Sequence, residues 1–185
     1  MLKKIFKIIA LLSILLVVVY NLLLSDFNPI FNNEEFVYLT NSIKSTQKED
    51  LEAIILIYNE LDRKIKRKSW QSCPCEIATT YISPYRHGFS LTKNLYLKKI
   101  EREFSHDDCL KFELMNTDFM NGNIGIKSAA KFYFGKSVEE LNEKEKITFI
   151  VMLKNPVLYN PLRRKEKVEE KVRLYQRILN GKTGL

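Results

Sequence analysis

Cys73, Cys75 and Cys109, with His87 and His106, are the residues of this chain whose types hold metals or pass electrons. Their spacing forms no recognised ligand pattern, and a structural metal site wants four ligands. An odd cysteine count excludes a fully paired framework, and Cys73-Pro74-Cys75 is too short to bridge without strain. The three thiols are therefore expected to lie buried and inert. The other chemical feature is charge. Glu60 precedes the basic run Arg63-Lys64-Ile65-Lys66-Arg67-Lys68, and Arg63 and Lys64 stand at the helical spacings that pair with it. The run reads either as a solvated face or as a strip for anions, to which Arg86 and Lys93 would add. Trp70, the single tryptophan, would stack on a sugar or lie in the core, and burial is the expected choice.

These residues need a scaffold, and 185 residues allow one domain with a real core. Charged residues at 28% and hydrophobic residues at 45% describe a globular chain. The formal charge of +8 favours anionic partners: phosphates, phospholipid headgroups or nucleic acid. Lys3, Lys4 and Lys7 precede an apolar run from Ile8 to Leu24, close to the ~20 residues that cross a bilayer. Leading lysines hold an N-terminus in the cytoplasm and send the remainder outside. A cleaved signal peptide is the rival reading, but "NLLLSDF" offers no pair of small residues for cleavage. Residues 1–25 are read as cytoplasmic tail and anchor, 26–33 as a juxtamembrane linker, and 34–185 as the exported domain.

That domain reads as mainly α. Leu51, Ile54, Ile55, Tyr58, Leu61 and Ile65 recur at helical spacing, as do Leu91, Leu95, Ile100 and Phe104. Ser105 with Asp108 predicts a capped helix start. The stretch "NGNIGI" breaks that helix, and the next runs from Ile126 to a stop at Gly135. Ser137 with Glu140 predicts a second capping box before the apolar run Ile147 to Leu153. Asn116 and Asn155 fall at helix ends, where they would cap. Pro156 and Pro161 fix a loop, and Val168, Val172, Tyr175 and Leu179 share one face of a last helix. Strand signals are confined to "EEFVYLT" around Phe36 and "TTYIS" around Tyr81.

The segment "NGNIGIKSAAKFYFGKSVEELNEKEKITFIVMLKNPVLYNP" resembles the C-terminal half of the glycosyltransferase family 51 domain, the peptidoglycan glycosyltransferases. The resemblance rests on Asn116, Gly122, Gly125-Ile126, Ala129-Ala130, Tyr133-Phe134-Gly135-Lys136, Pro156 and Tyr159-Asn160-Pro161, in order over about forty-five positions. "EEKVRLYQRIL" is similar to the family's closing helix. The resemblance implies a lysozyme-like helical fold behind one membrane helix. It also implies action on lipid II or a related undecaprenyl-pyrophosphate sugar, at the cytoplasmic membrane and beside other cell-wall synthesis proteins. No cofactor is implied, though a divalent metal is possible at the pyrophosphate.

The family uses two glutamates, one as general base and one at the donor pyrophosphate. Aligning "LEAIILIYNELDRK" on the first family helix puts Tyr58 and Asn59 where Glu-Asp would stand. Glu60 follows and is the candidate base, although one helical step of two residues turns it about 200° away. For the second motif two alignments compete. "TKNLYL" matches its ending by letters. Alternatively "WQSCPCEIATTYISP" takes its place, which uses the chain length better and sets Lys93 near the family's second glutamate. Under either alignment the carboxylate pair is incomplete. General-base assistance contributes about 10²–10⁴-fold, so its loss counts against turnover. Arg86, Lys93 and Asn116 remain as candidate substrate-binding residues. The readings are a glycosyltransferase with divergent motifs, a relative that binds lipid-linked sugar without turnover, and a nucleic-acid binder, against which the export signal argues.

Overall fold

In the computed structural model, residues 2–65, 73–82 and 90–181 are described. Among them the chain forms helices α1 (Leu2–Leu23), α2 (Glu34–Thr46), α3 (Glu52–Ile65), α4 (Pro74–Thr80), α5 (Leu91–Glu103), α6 (His106–Asn116), α7 (Ile126–Phe134), α8 (Glu143–Lys154) and α9 (Lys165–Leu179). A 3-10 turn spans Pro29–Asn32. No β-strand appears among the described residues, where pairing is limited to one isolated bridge between Asp118 and Ile124. The mainly α expectation holds, with one apolar helix at the N-terminus.

Two cores divide the domain, and α6 belongs to both. Its Leu110 and Leu114 join the core built by α3, α7, α8 and α9. Its Cys109 and Phe112 join the other, built by α2, α4 and α5 with Leu24 and Phe31. Apolar residues on two faces explain why this helix lies inside the fold. α3 is one-sided and presents Ile54, Ile55, Tyr58 and Leu61 to the first core. α9 does the same with Val168, Val172, Tyr175 and Ile178.

Several expectations are corrected. "EEFVYLT" is the start of α2, because Phe36, Leu39, Thr40 and Ile43 bury one helical face and Asn33 caps it. "TTYIS" begins in α4 and leaves it at Tyr81. Their aromatic and β-branched content raises strand propensity, but tertiary burial at helical spacing overrides it. Ser137 and Glu140 make only half of the expected box, a Ser137 N–H to Glu140 bond of 2.8 Å. The full box opening α8 is Asn142 with Glu145. Within 26–33, Phe31 packs into the second core at 5% exposure while Phe27 stands out at 94%.

The thiols differ most. Cys75 and Cys109 form a disulfide, with Cα atoms 5.0 Å apart, that ties α4 to α6. Cys73 is free and exposed. Pairing of residues 34 apart in sequence follows from how α4 and α6 pack, which spacing alone does not reveal.

The glycine and aromatic segment packs as one unit. Gly125 begins α7 at φ 79°, and a Cβ there would meet the Met115 carbonyl oxygen at 2.5 Å, so only glycine fits. Gly135 ends α7 in the left-handed conformation. The Tyr133 hydroxyl donates to the Phe119 carbonyl at 2.7 Å. It accepts from the Asn121 amide at 3.0 Å and the Asn160 amide at 3.3 Å. One phenol thus joins the glycine turn to the Tyr-Asn-Pro loop. Phe134 stands edge-on to Phe149, while Phe132 is half exposed.

Candidate functional site at Tyr58 and Asn59

The position expected for the Glu-Asp pair is filled and tied down. Tyr58 is 2% exposed, and burial, followed by the charge of Glu113, pushes its hydroxyl far above the ordinary tyrosine range. Its ring lies 6.0 Å from that of His106. Asn59 donates to Asp107 Oδ1 at 2.9 Å, linking α3 to the start of α6. Neither residue offers a carboxylate.

Glu60 lies on the outer side of α3. Its carboxylate meets Lys64 at 2.8 Å and Arg63 at 3.7 Å, and the Lys64 hydrogen bond and charge hold it below the usual carboxylate range. A base whose lone pairs are occupied by cations is a weak proton acceptor. Lys93, on α5, faces Glu76 of α4 at 3.9 Å. Asn116 closes α6, its amide donating to the Phe112 carbonyl at 2.8 Å. Asn155 follows α8 and accepts from Leu158 N–H. Arg86, His87, Trp70 and the Lys66-Arg67-Lys68 part of the basic run lie outside the described residues.

A carboxyl that sequence reasoning missed is Glu113 of α6. It is 2% exposed, its Oε2 has no hydrogen-bond partner, and burial pushes it up to about 8. Its backbone carbonyl accepts from Thr117 Oγ1 at 2.7 Å. The same Thr117 bonds the Tyr81 hydroxyl, and Glu113 contributes to raising that phenol behind the larger effect of burial. The sequence signal was its register: Glu113 follows Cys109 by four and Leu110 by three, on the buried stripe of α6. At neutral pH this carboxyl is mostly protonated, so it holds a proton and is not ready to take one.

Tyr81 also lines an open groove of about 590 Å³ with Glu34, Glu35, Tyr38, Thr80 and Ile82. Exposed tyrosines beside carboxylates suit a polyhydroxylated ligand, by stacking and by accepting hydroxyl hydrogens. Among the described residues no three His, Cys, Asp or Glu side chains gather as metal ligands.

The structure is a helical domain behind an apolar helix, in which Tyr58 is buried and Asn59 is bonded to Asp107. Residues 91–180 match the family model described as Transglycosylase. Penicillin-binding protein 4 of Bacillus subtilis (strain 168) is 31% identical over 103 residues, covering 55% of this chain and 16% of that protein. Penicillin-binding protein 2a of Streptococcus pneumoniae is 39% identical over 64 residues, covering 35% of this chain and 9% of the relative. The biosynthetic peptidoglycan transglycosylase of Haemophilus influenzae is 32% identical over 60 residues, covering 32% and 25%. Through residues 91–180, α5 to α9, the chain is similar to the transglycosylase family. It spans a quarter or less of the length of these relatives.

Proposed function

We propose that this chain is a membrane-anchored, transglycosylase-family protein of cell-wall synthesis. On this reading it binds lipid-linked disaccharide, lipid II or a close relative, and does not polymerise it. The observation that carries the reading is the pair Tyr58 and Asn59. One is buried and the other bonded to Asp107, while Glu60 is held by Lys64 and Arg63. A scaffold with the family's packing and no free carboxylate at that position retains recognition and loses proton abstraction.

The pyrophosphate of such a ligand is assigned to Arg86 and Lys93, with Asn116 at the neighbouring helix end, and no resident metal is called for. The domain is placed outside the cytoplasmic membrane with α1 spanning it once and its lysines inside. Lys3, Lys4 and Lys7 support that orientation. The Cys75–Cys109 disulfide supports it independently, because such bonds persist in oxidising compartments. The fold is read as the lysozyme-like one of the family.

The test is polymerisation of lipid II by the full chain in detergent, beside an active transglycosylase. No glycan chains are expected from wild type or from Glu60→Gln. Chain growth by wild type that Glu60→Gln abolishes would restore Glu60 as base and overturn the reading.

A further inference from the structure

The open groove beside Tyr81 runs against the charge of the chain. The formal charge is +8, yet the charged side chains lining the groove among the described residues are Glu34 and Glu35. Both stand in the first turn of α2, where the helix dipole favours acids. Glu49, Glu60, Glu76, Glu101 and Glu145 each meet a lysine. Glu34 and Glu35 form no such pair among the described residues. Two tyrosines accompany them: Tyr38, one turn on from Glu34, is 71% exposed, and Tyr81 is 47% exposed. Tyr81 is exposed but held, its ring edge-on to Phe112 at 5.1 Å and its hydroxyl bonded to Thr117. A platform fixed in advance costs a ligand less to use. Behind that ring stands buried Glu113, whose partnerless Oε2 is the kind of orphaned acceptor that asks for an explanation.

The lining narrows the occupant. A volume of about 590 Å³ falls within the ~300–1,000 Å³ of ligand sites. An aliphatic anchor finds no seat, because Ile82 is the aliphatic residue of the described lining and is only 9% exposed. An extended peptide would want an open strand edge, and no strand appears among the described residues. Flat rings beside acids suit a sugar, whose CH face stacks on tyrosine while carboxylates accept its hydroxyl hydrogens. Two carboxylates on one groove also repel each other. An ammonium set between them removes that repulsion, makes charge-assisted hydrogen bonds and gains from the tyrosine faces.

We infer that this groove binds an amino sugar, a glycan carrying free amino groups in place of acetamides. The ammonium sits with Glu34 and Glu35, and Tyr38 and Tyr81 carry the pyranose rings. Thr80 adds an acceptor: its hydroxyl donates to the Ile77 carbonyl at 2.6 Å and keeps its lone pairs for the ligand. Among the described residues neither Lys93 nor Asn116 lines the groove, so the site goes beyond the lipid-linked ligand and does not depend on it.

The test titrates the full chain in detergent by calorimetry, at about pH 6 so that amines are charged. The probes are the chitosan tetramer, which is glucosamine, the N-acetylated chitin tetramer, and tetralysine. Saturable binding of the chitosan tetramer is expected, with the chitin tetramer and tetralysine at least ~10-fold weaker. Glu34→Gln combined with Glu35→Gln should weaken chitosan binding by ~10-fold, and Tyr38→Ala by ~5-fold. All three side chains are exposed, so helix content should not change. Equal binding of the chitin tetramer would mean a groove for neutral sugars, and equal binding of tetralysine an acidic surface for any polycation. Either result overturns the inference, as does chitosan binding that the variants leave unchanged, or no binding at all.

Discussion

Glu113→Gln replaces a carboxyl that has no partner on Oε2 by a neutral group of the same shape. In the folded chain the Glu113 carboxyl is pushed up to about 8 by burial, against an ordinary 4.5. Its folded value is raised, so between these limits the folded state keeps a proton that the unfolded state has lost. The stability contribution is therefore whole below pH about 4.5 and is lost as pH rises through about 8. At 1.36 kcal/mol per unit, the fall over the window comes to about 5 kcal/mol, an order-of-magnitude figure. The assay is urea unfolding of the full chain in detergent at a series of pH values, followed by circular dichroism. Wild type should lose stability across the window, and Glu113→Gln should flatten most of that slope. Equal slopes for the two proteins would refute the burial of an unpartnered carboxyl.

Three further outcomes follow from the packing. Thiol labelling without reductant should modify Cys73 alone, and Cys75→Ala with Cys109→Ala should cost ~2–4 kcal/mol of stability for a closed loop of this length; labelling of all three cysteines would contradict the bond. Gly125→Ala should cost at least ~2 kcal/mol and lower Tm by roughly 4–8 °C, because the new methyl meets the Met115 carbonyl in a left-handed backbone. Tyr133→Phe leaves Asn121, Asn160 and the Phe119 carbonyl short of a partner and should cost ~1–3 kcal/mol in chemical unfolding; an unchanged midpoint would remove the phenol as the joint between loop and turn.

The sequence was most legible where one helix face is apolar or a cap is unambiguous. α3, α9 and the Ser105–Asp108 box could be read directly because period and capping are local properties. The Gly125 to Gly135 helix was equally plain, its two glycines marking positions that no other residue fits as well. What escaped reading was tertiary. Cys75 and Cys109 are brought together only when α4 packs on α6. Ser137 was read as the cap before the Ile147 run, whereas Asn142, one residue before α8, caps it in the structure. In α6, apolar residues on two faces blur the period, which hid Glu113 among charged neighbours. The resemblance placed Tyr58 and Asn59 where a Glu-Asp pair would stand, and only packing shows that a buried phenol and a tied amide fill the space.

The central claim is recognition of a lipid-linked sugar without turnover, and binding tests it most directly. Full-length protein in nanodiscs, titrated with fluorescent lipid II, should show saturable binding that Lys93→Ala and Arg86→Ala weaken. Absence of saturable binding at any concentration, with the disulfide intact and the helices formed, would contradict it.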